Sequence, residues 1–249
     1  MEAMEVMVEA DLHTHTVGSG HAFGTVMENV RAAHEKGLRA LAITDHGPGM
    51  ADGPRPYYFR NLHVLPQSYM GVMILKGVEG NIAGSDGSID LPSEIARDLD
   101  LVIAGLHPAC GIEGRGLDWN TQAMTAAIRN PLVDIIAHPG NPQYPVDLEA
   151  CVLEATRYDK ALEINENSFF ARPGSMERCL VVAKLCAQHG TLVSVASDAH
   201  SPWNVGEVSR ALKLALDAGI RREQIVNASM DNLTRFLTMR RKRLEAWRC

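Results

Sequence analysis

The sequence predicts an α/β fold: a barrel of about seven parallel strands, with its working face at their C-terminal ends. Three observations carry that expectation. Seven compact runs rich in Val, Ile, Leu and Ala recur along the chain, as expected of strands buried on both faces of a parallel sheet. Longer amphipathic segments alternate with them, the rhythm of repeated βα units. The length, 249 residues, suits one such barrel better than an open sheet with a single ligand crevice.

The elements follow in order. VEADLHT (8–14) is the first strand, and Thr25–Lys36 the first helix, with a stop at Gly37. RALAITDH (39–46) is the second strand. The Pro- and aromatic-rich insertion ADGPRPYYFRNLHVLPQ (51–67) follows it. GVMILKGVE (71–79) is the third strand, and the glycine-rich GNIAGSDGSIDL (80–91) has the composition of a hairpin excursion. LDLVIAGLH (99–107) precedes a helix at Asn120–Arg129, and VDIIAHPG (133–140) precedes one at Leu148–Arg157. ALEINEN (161–167) leads to Ser175–His189 with a stop at Gly190. TLVSVASDAH (191–200) leads to Val205–Ala218 with a stop at Gly219.

No internal repeat or low-complexity linker divides the chain, so residues 1–249 read as one domain. Net charge is −6 with a pI near 5.9, which argues against a dedicated nucleic-acid binder with a basic face. The acidic start MEAMEVMVEADLHTHT lacks the basic residues and long apolar run of a secretory leader. No run approaches the roughly 18 apolar residues of a membrane span. Cys110, Cys151, Cys179, Cys186 and Cys249 are scattered without a C-x-x-C pair, which suits a reducing compartment and a cytoplasmic protein.

The strand ends carry the chemistry. The first ends in His13 and His15, the second in Asp45-His46, the third in Glu79, the fourth in His107, the fifth in His138 and the seventh in Asp198 and His200. In a parallel barrel those ends share one face. Residues two apart on a strand point the same way, so His13 with His15, and Asp198 with His200, can each serve one centre. His21, on the loop after the first strand, can fold back over the mouth. Any single histidine at a strand end is ordinarily solvated or capped; nine ligand-type residues at successive ends are hard to explain that way. His34 in mid-helix, His63 in the insertion and His189 at a helix end read as structural or exposed.

Taken in order, DLHTHT, ITDHGPGM, KGVEGN, AGLHPA, IAHPGNP and ASDAH resemble the marks of the PHP (polymerase and histidinol phosphatase) family of metal-dependent phosphoesterases. They run from Asp11 to His200, and the ordered set is far more specific than any one part. DHGP, HPGNP and LEINENSFF look like the small stand-alone bacterial proteins of the YcdX type, described as probable phosphatases. The resemblance implies a distorted (β/α)7, TIM-like barrel with a three-metal, typically zinc, centre. It implies that His13, His15, Glu79 and Asp198 hold one ion, and that Glu79 bridges to a second held by His107 and His138. His21, His46 and His200 would hold the third. Imidazole-rich sites with two carboxylates also accept manganese or iron.

Such a centre is expected to hydrolyse a small phosphorylated substrate by a metal-activated hydroxide. Asp198 or His200 is the candidate for passing protons, although a ligating carboxylate is a poor general base. Arg172 follows the one strand end without a ligand and is the candidate for a substrate phosphate, against the plainer reading of an exposed loop arginine. Arg115 has a weaker case of the same kind. Asp11, Asp45 and Asn165 are candidates for orienting the ligands, and Asp45 equally for capping the loop after it. The basic tail RFLTMRRKRLEAWRC reads as a solvated amphipathic helix, and Trp119, Trp203 and Phe169 as core or pocket wall.

Other classes compete less well. An amidohydrolase-like C–N hydrolase also opens with H-x-H, but commonly places a bridging lysine where this chain has His107. A non-catalytic metal-binding accessory module would bind metal and turn nothing over. There is no G-x-S-x-G elbow, P-loop or G-x-G-x-x-G. Nothing in the loops spells out the substrate.

Overall fold

The structure is a computed structural model that describes residues 8–108, 110–111 and 115–247. Cys249 and the first seven residues of the acidic N-terminal stretch lie outside them.

Strands β1 (Ala10–Asp11), β2 (Ala40–Ile43), β3 (Ser68–Tyr69), β4 (Val72–Asn81), β5 (Leu101–Gly105), β6 (Ile135–Ile136), β7 (Ala161–Asn165) and β8 (Leu192–Ala196) form one sheet. Its order is β1-β2-β4-β5-β6-β7-β8, with β3 antiparallel on β4. All pairings along that path are parallel, and its strands fall within the seven apolar runs of the sequence except that β4 continues two residues past Glu79 to Asn81. Strand β4 is shared, its first half paired with β2 and its second with β5. The ring closes between β8 and β1 with little backbone ladder. Thr14 bridges Ala199, and the buried Asn227 amide donates to both Ala10 O and Val195 O at 2.7 Å while accepting from Val195 N. A side chain thus satisfies backbone groups that would otherwise be buried unpaired.

Helices α1 (Val26–Glu35), α2 (Pro56–Asn61), α3 (Ser93–Asp98), α4 (Leu117–Arg129), α5 (Leu148–Arg157), α6 (Ser168–Ala171), α7 (Ser175–His189), α8 (Ser209–Asp217) and α9 (Met230–Trp247) complete the fold. Thr25 and Glu28 form a capping box at the start of α1, and Asp147 caps α5 through Ala150 N–H. The three glycine stops adopt positive φ: Gly37 at 76°, Gly190 at 73° and Gly219 at 93°. The segment 80–91 is a hairpin, with Ile82 bridged to Ile89.

Two expectations are corrected. The helix expected over Val205–Ala218 starts only at Ser209, because Gly206 turns with φ 73° and its N–H is held by the buried Asp11 carboxylate. The basic tail is helical but not solvated throughout. Leu233, Phe236, Arg240 and Leu244 of α9 are buried, and Leu233 and Phe236 join Ala10, Ala40, Leu101, Ile135 and Ala161 in one apolar cluster. Helix α9 therefore plugs the end of the barrel opposite the strand C-termini. Among the described residues no helix is long and apolar enough to cross a membrane.

Candidate metal centre

The Thr14–Ala199 bridge fixes the site. Residues flanking a bridged pair point to the opposite face from it, so His13 and His15 on one side meet Asp198 and His200 on the other. A second bridge, His46 with Glu79, brings the next two strand ends level. His13, His15, His46, Glu79, His107, His138 and Asp198 are all buried.

Glu79 is the hub. Its Oε1 lies 3.0 Å from both His107 Nε2 and His138 Nε2. Its Oε2 faces His46 Nδ1 at 2.9 Å, His13 Nε2 at 3.2 Å and His15 Nε2 at 3.4 Å. The two oxygens address different imidazole sets, as a bridging carboxylate must. Asp198 Oδ1 adds a second carboxylate to the first set, 3.2 Å from His15 Nε2 and 3.5 Å from His13 Nε2.

Among the described residues, three groups could each hold a metal ion: His13, His15 and Glu79; His46, Glu79 and His107; and His15, His46 and His200. The outermost group differs from the expected trio. His15 belongs to it by distance, whereas His21 reaches it through His200, with 3.1 Å between their Nε2 atoms. His34 and His63 are exposed and His189 ends α7; none joins these groups.

Outer partners aim the rings. His13 Nδ1 donates to Glu163 Oε1 at 2.7 Å, His15 Nδ1 to Ser19 Oγ at 3.0 Å, His21 Nδ1 to Asp52 Oδ2 at 2.7 Å and His200 Nδ1 to Asp198 O at 3.0 Å. Each bond turns Nε2 and its lone pair inward. The result is pairs of facing ring nitrogens, 3.0 Å apart for His13–His15 and 3.1 Å for His107–His138. Such lone pairs repel unless a proton or a cation lies among them. Buried His46 Nδ1 and Glu79 Oε2 approach closely, yet not in hydrogen-bonding geometry, and each lacks a hydrogen-bond partner. These are the donors a divalent ion takes, so the residues fit a metal.

The electrostatics agree. Burial alone would raise the carboxyl pKa values, but His13 and its neighbours hold Glu79 and Asp198 well below the usual range. Burial keeps His15 and His200 below the ordinary imidazole value and lowers His138 to about 4, with Arg172 adding to the effect on His138. Burial would lower His13 as well, but Glu79, Glu163 and Asp198 together hold it well above its ordinary value. The site presents ionised carboxylates beside imidazoles of both kinds: His15, His138 and His200 are held toward the neutral, ligating form, while Glu79 and Asp198, outweighing burial, raise His46 as they do His13.

Local backbone is shaped to this end. His138 and Asp198 both have positive φ, 33° and 56°, a conformation that costs a non-glycine residue about 1 kcal/mol or more. A Cβ on Gly105 would lie 2.8 Å from the His107 ring and 2.9 Å from the His138 ring, so only glycine lets those two imidazoles close on Glu79.

The expected orienting residues take specific roles. Asp45 does both things anticipated of it. It holds the segment after it through Tyr58 OH and the loop after the first strand through Thr16 N–H, and it accepts from the Ser19 hydroxyl that receives His15. Asn165 donates to Glu163 and to Asp198, while Asp11 holds Ser197 and Gly206. Arg172 is not an exposed loop arginine: its guanidinium lies 3.3 Å from Asp198 Oδ2 and donates to Ser168 Oγ at 2.8 Å. Arg115 turns instead onto the Trp119 ring. Trp119 and Phe169 pack on the core, and Trp203 is exposed.

Two residues were missed. Glu163 sits two places before Asn165 on β7 and faces the same side; that spacing was the available signal. Asp52, in the proline-rich insertion, left none. Its loop presses so closely on Gly20 that a Cβ there would lie 2.7 Å from Asp52 Cβ.

Comparison with known proteins agrees with this geometry. The PHP domain family matches residues 11–113. A probable phosphatase of Caldanaerobacter subterraneus subsp. tengcongensis is 46% identical over 242 residues, 97% of this chain and 95% of that protein. A probable phosphatase of Acetivibrio thermocellus is 42% identical over 234 residues, 94% and 97%. Histidinol phosphate phosphatase from Lactococcus lactis, crystallised with zinc, L-histidinol and phosphate, superposes with a TM-score of 0.62 at 19% identity, covering 86% of this chain and 95% of that one. With near full-length relatives above 40% identity and a barrel of the same kind, the chain belongs to the PHP family, among its probable phosphatases.

Proposed function

We propose that this protein is a phosphoric monoester hydrolase working at a three-metal centre, zinc in the first instance, on a small phosphorylated substrate in the cytoplasm. One observation carries the reading. Glu79 directs its two oxygens at two different sets of buried imidazoles, the arrangement that holds two cations side by side. His13, His15, Glu79 and Asp198 would hold the first ion, Glu79, His107 and His138 the second, and His46, His200 and His21 the third, with His15 close enough to take part. Divalent ions bound there would neutralise phosphoryl charge and lower the pKa of water to yield a hydroxide nucleophile. That Cys151, Cys179 and Cys186 are buried free thiols supports the reducing compartment.

The chain's own groups orient and neutralise. Glu163 holds His13 while accepting His138 N–H at 2.8 Å, so one carboxylate positions ligands of two different ions. Arg172, fixed by Ser168 and Asp198, brings permanent positive charge to the edge of the cluster and is the proposed contact for a phosphoryl oxygen. Asp198 and His200 are the proposed route for protons.

The test is phosphate release from p-nitrophenyl phosphate after loading with zinc or manganese, against a chelated control. Metal-dependent release is the expected result. No release with either metal would overturn the reading in favour of a C–N substrate or an accessory role.

The outermost position makes a separate prediction. His21 is 41% exposed and is held by Asp52 alone at Nδ1. Asp52→Ala should lower metal content by about one ion per chain and reduce turnover about tenfold, the usual scale for losing a ligand's outer partner. Elemental analysis with an unchanged metal content would show that Asp52 does not support a ligand.

A further inference from the structure

A cleft of about 470 Å³ opens beside the cluster, and Asp198 and His200 line it together with Asn167, Phe170, Asn204 and Arg210. That volume suits the non-reacting part of a small metabolite. The cleft adjoins the candidate metal ligands, so it is where an alcohol moiety could extend when its phosphate lies at them.

Part of its wall is a platform. The Arg210 guanidinium lies 4.3 Å from the centre of the Phe170 ring and 5.3 Å from that of Phe169. Phe170 remains 69% exposed although it sits on a short helix beside the site. A single exposed aromatic is ordinary; one held by a cation at the rim of a cleft that leads to metal ligands is positioned for contact. The acids at this cleft already have partners. Glu166 accepts Ala211 N–H at 2.7 Å and lies 3.8 Å from Arg210, and Glu207 pairs with Lys36 at 2.6 Å. What the cleft offers is a flat aromatic–cation surface flanked by the amides of Asn167 and Asn204. Stacking is its natural use.

We infer that this cleft is the subsite for the substrate's alcohol, and that it selects phosphate monoesters carrying a planar ring, which packs against Phe170 and Arg210. The inference rests on the proposed phosphatase activity and adds the class of leaving group.

The test compares adenosine 5′-monophosphate with methyl ribofuranoside 5-phosphate, which shares its scissile bond and leaving oxygen but has no aromatic ring. With the metal-loaded protein the nucleotide should show a KM about tenfold lower, the scale of one stacked base, at similar kcat. Phe170→Ala should raise the nucleotide's KM about tenfold and bring the ratio of the two KM values close to one. Equal KM values for the two esters in the unmodified protein, or a ratio that survives Phe170→Ala, would overturn the subsite. If neither ester is hydrolysed but p-nitrophenyl phosphate is, the subsite falls and the phosphatase reading stands. If p-nitrophenyl phosphate also fails with every metal, both fall together.

Discussion

Glu79→Gln is expected to abolish phosphate release, by about three orders of magnitude or more, and to strip metal from the protein. The amide keeps the shape of the side chain but loses the negative charge and one acceptor oxygen. Both Glu79 oxygens face imidazole nitrogens at 2.9 to 3.4 Å, so the change reaches two of the three proposed positions at once. Removing a shared ligand takes away the charge neutralisation and the water activation together. The measurement pairs turnover of p-nitrophenyl phosphate with elemental analysis, and circular dichroism checks the fold. His34→Ala, on the exposed face of α1, is the control and should match the unmodified protein. A Glu79→Gln protein that keeps its full metal content and its rate would sink the bridging assignment.

Arg240→Met should destabilise the barrel by about 3–5 kcal/mol, the scale for breaking one side of a buried charge pair. Arg240 is only 3% exposed. Its guanidinium donates to Asp134 Oδ2 at 2.6 Å, to Leu132 O and Ala96 O at 2.8 Å and to Leu99 O at 3.1 Å. Methionine fills most of the volume but orphans those acceptors inside the barrel floor. Asp134 would keep Arg243 as its remaining arginine, so the loss should fall short of that for an isolated buried charge. Lys160 lies in the same layer, its amine donating to Asn130 O and pushed by burial down to about 7. At roughly 2–4 °C per kcal/mol for a chain of this size, the midpoint of thermal unfolding should drop by about 10 °C. A shift of under two degrees would mean that α9 is an appendage and not the floor of the barrel.

Much of the site was legible along the chain because parallel strands carry their chemistry at one end. Once the seven apolar runs were read as strands, the residues after each run were brought to one mouth by the architecture itself. His13 and His15, then Asp198 and His200, needed only the two-residue period of a strand to be paired. The arginines were harder, since a guanidinium in a loop looks the same whether it meets a carboxylate or water. Arg172 meets Asp198, whereas Arg115 turns away onto Trp119.

What the sequence by itself determined was the order of the seven parallel strands and the longer helices, though not the short β3, α2, α3 and α6, and the set of side chains that follow the strands, because both depend on local periodicity. Tertiary structure alone decided which atoms meet. Asn227 closes the ring from more than 200 residues beyond Ala10, Asp52 reaches His21 across two loops, and Arg240 turns a basic tail into the floor of the barrel. Each of these is a polar contact between segments remote in sequence. Its strength depends on burial and on distances of a few ångströms, and neither leaves a periodic mark on the chain.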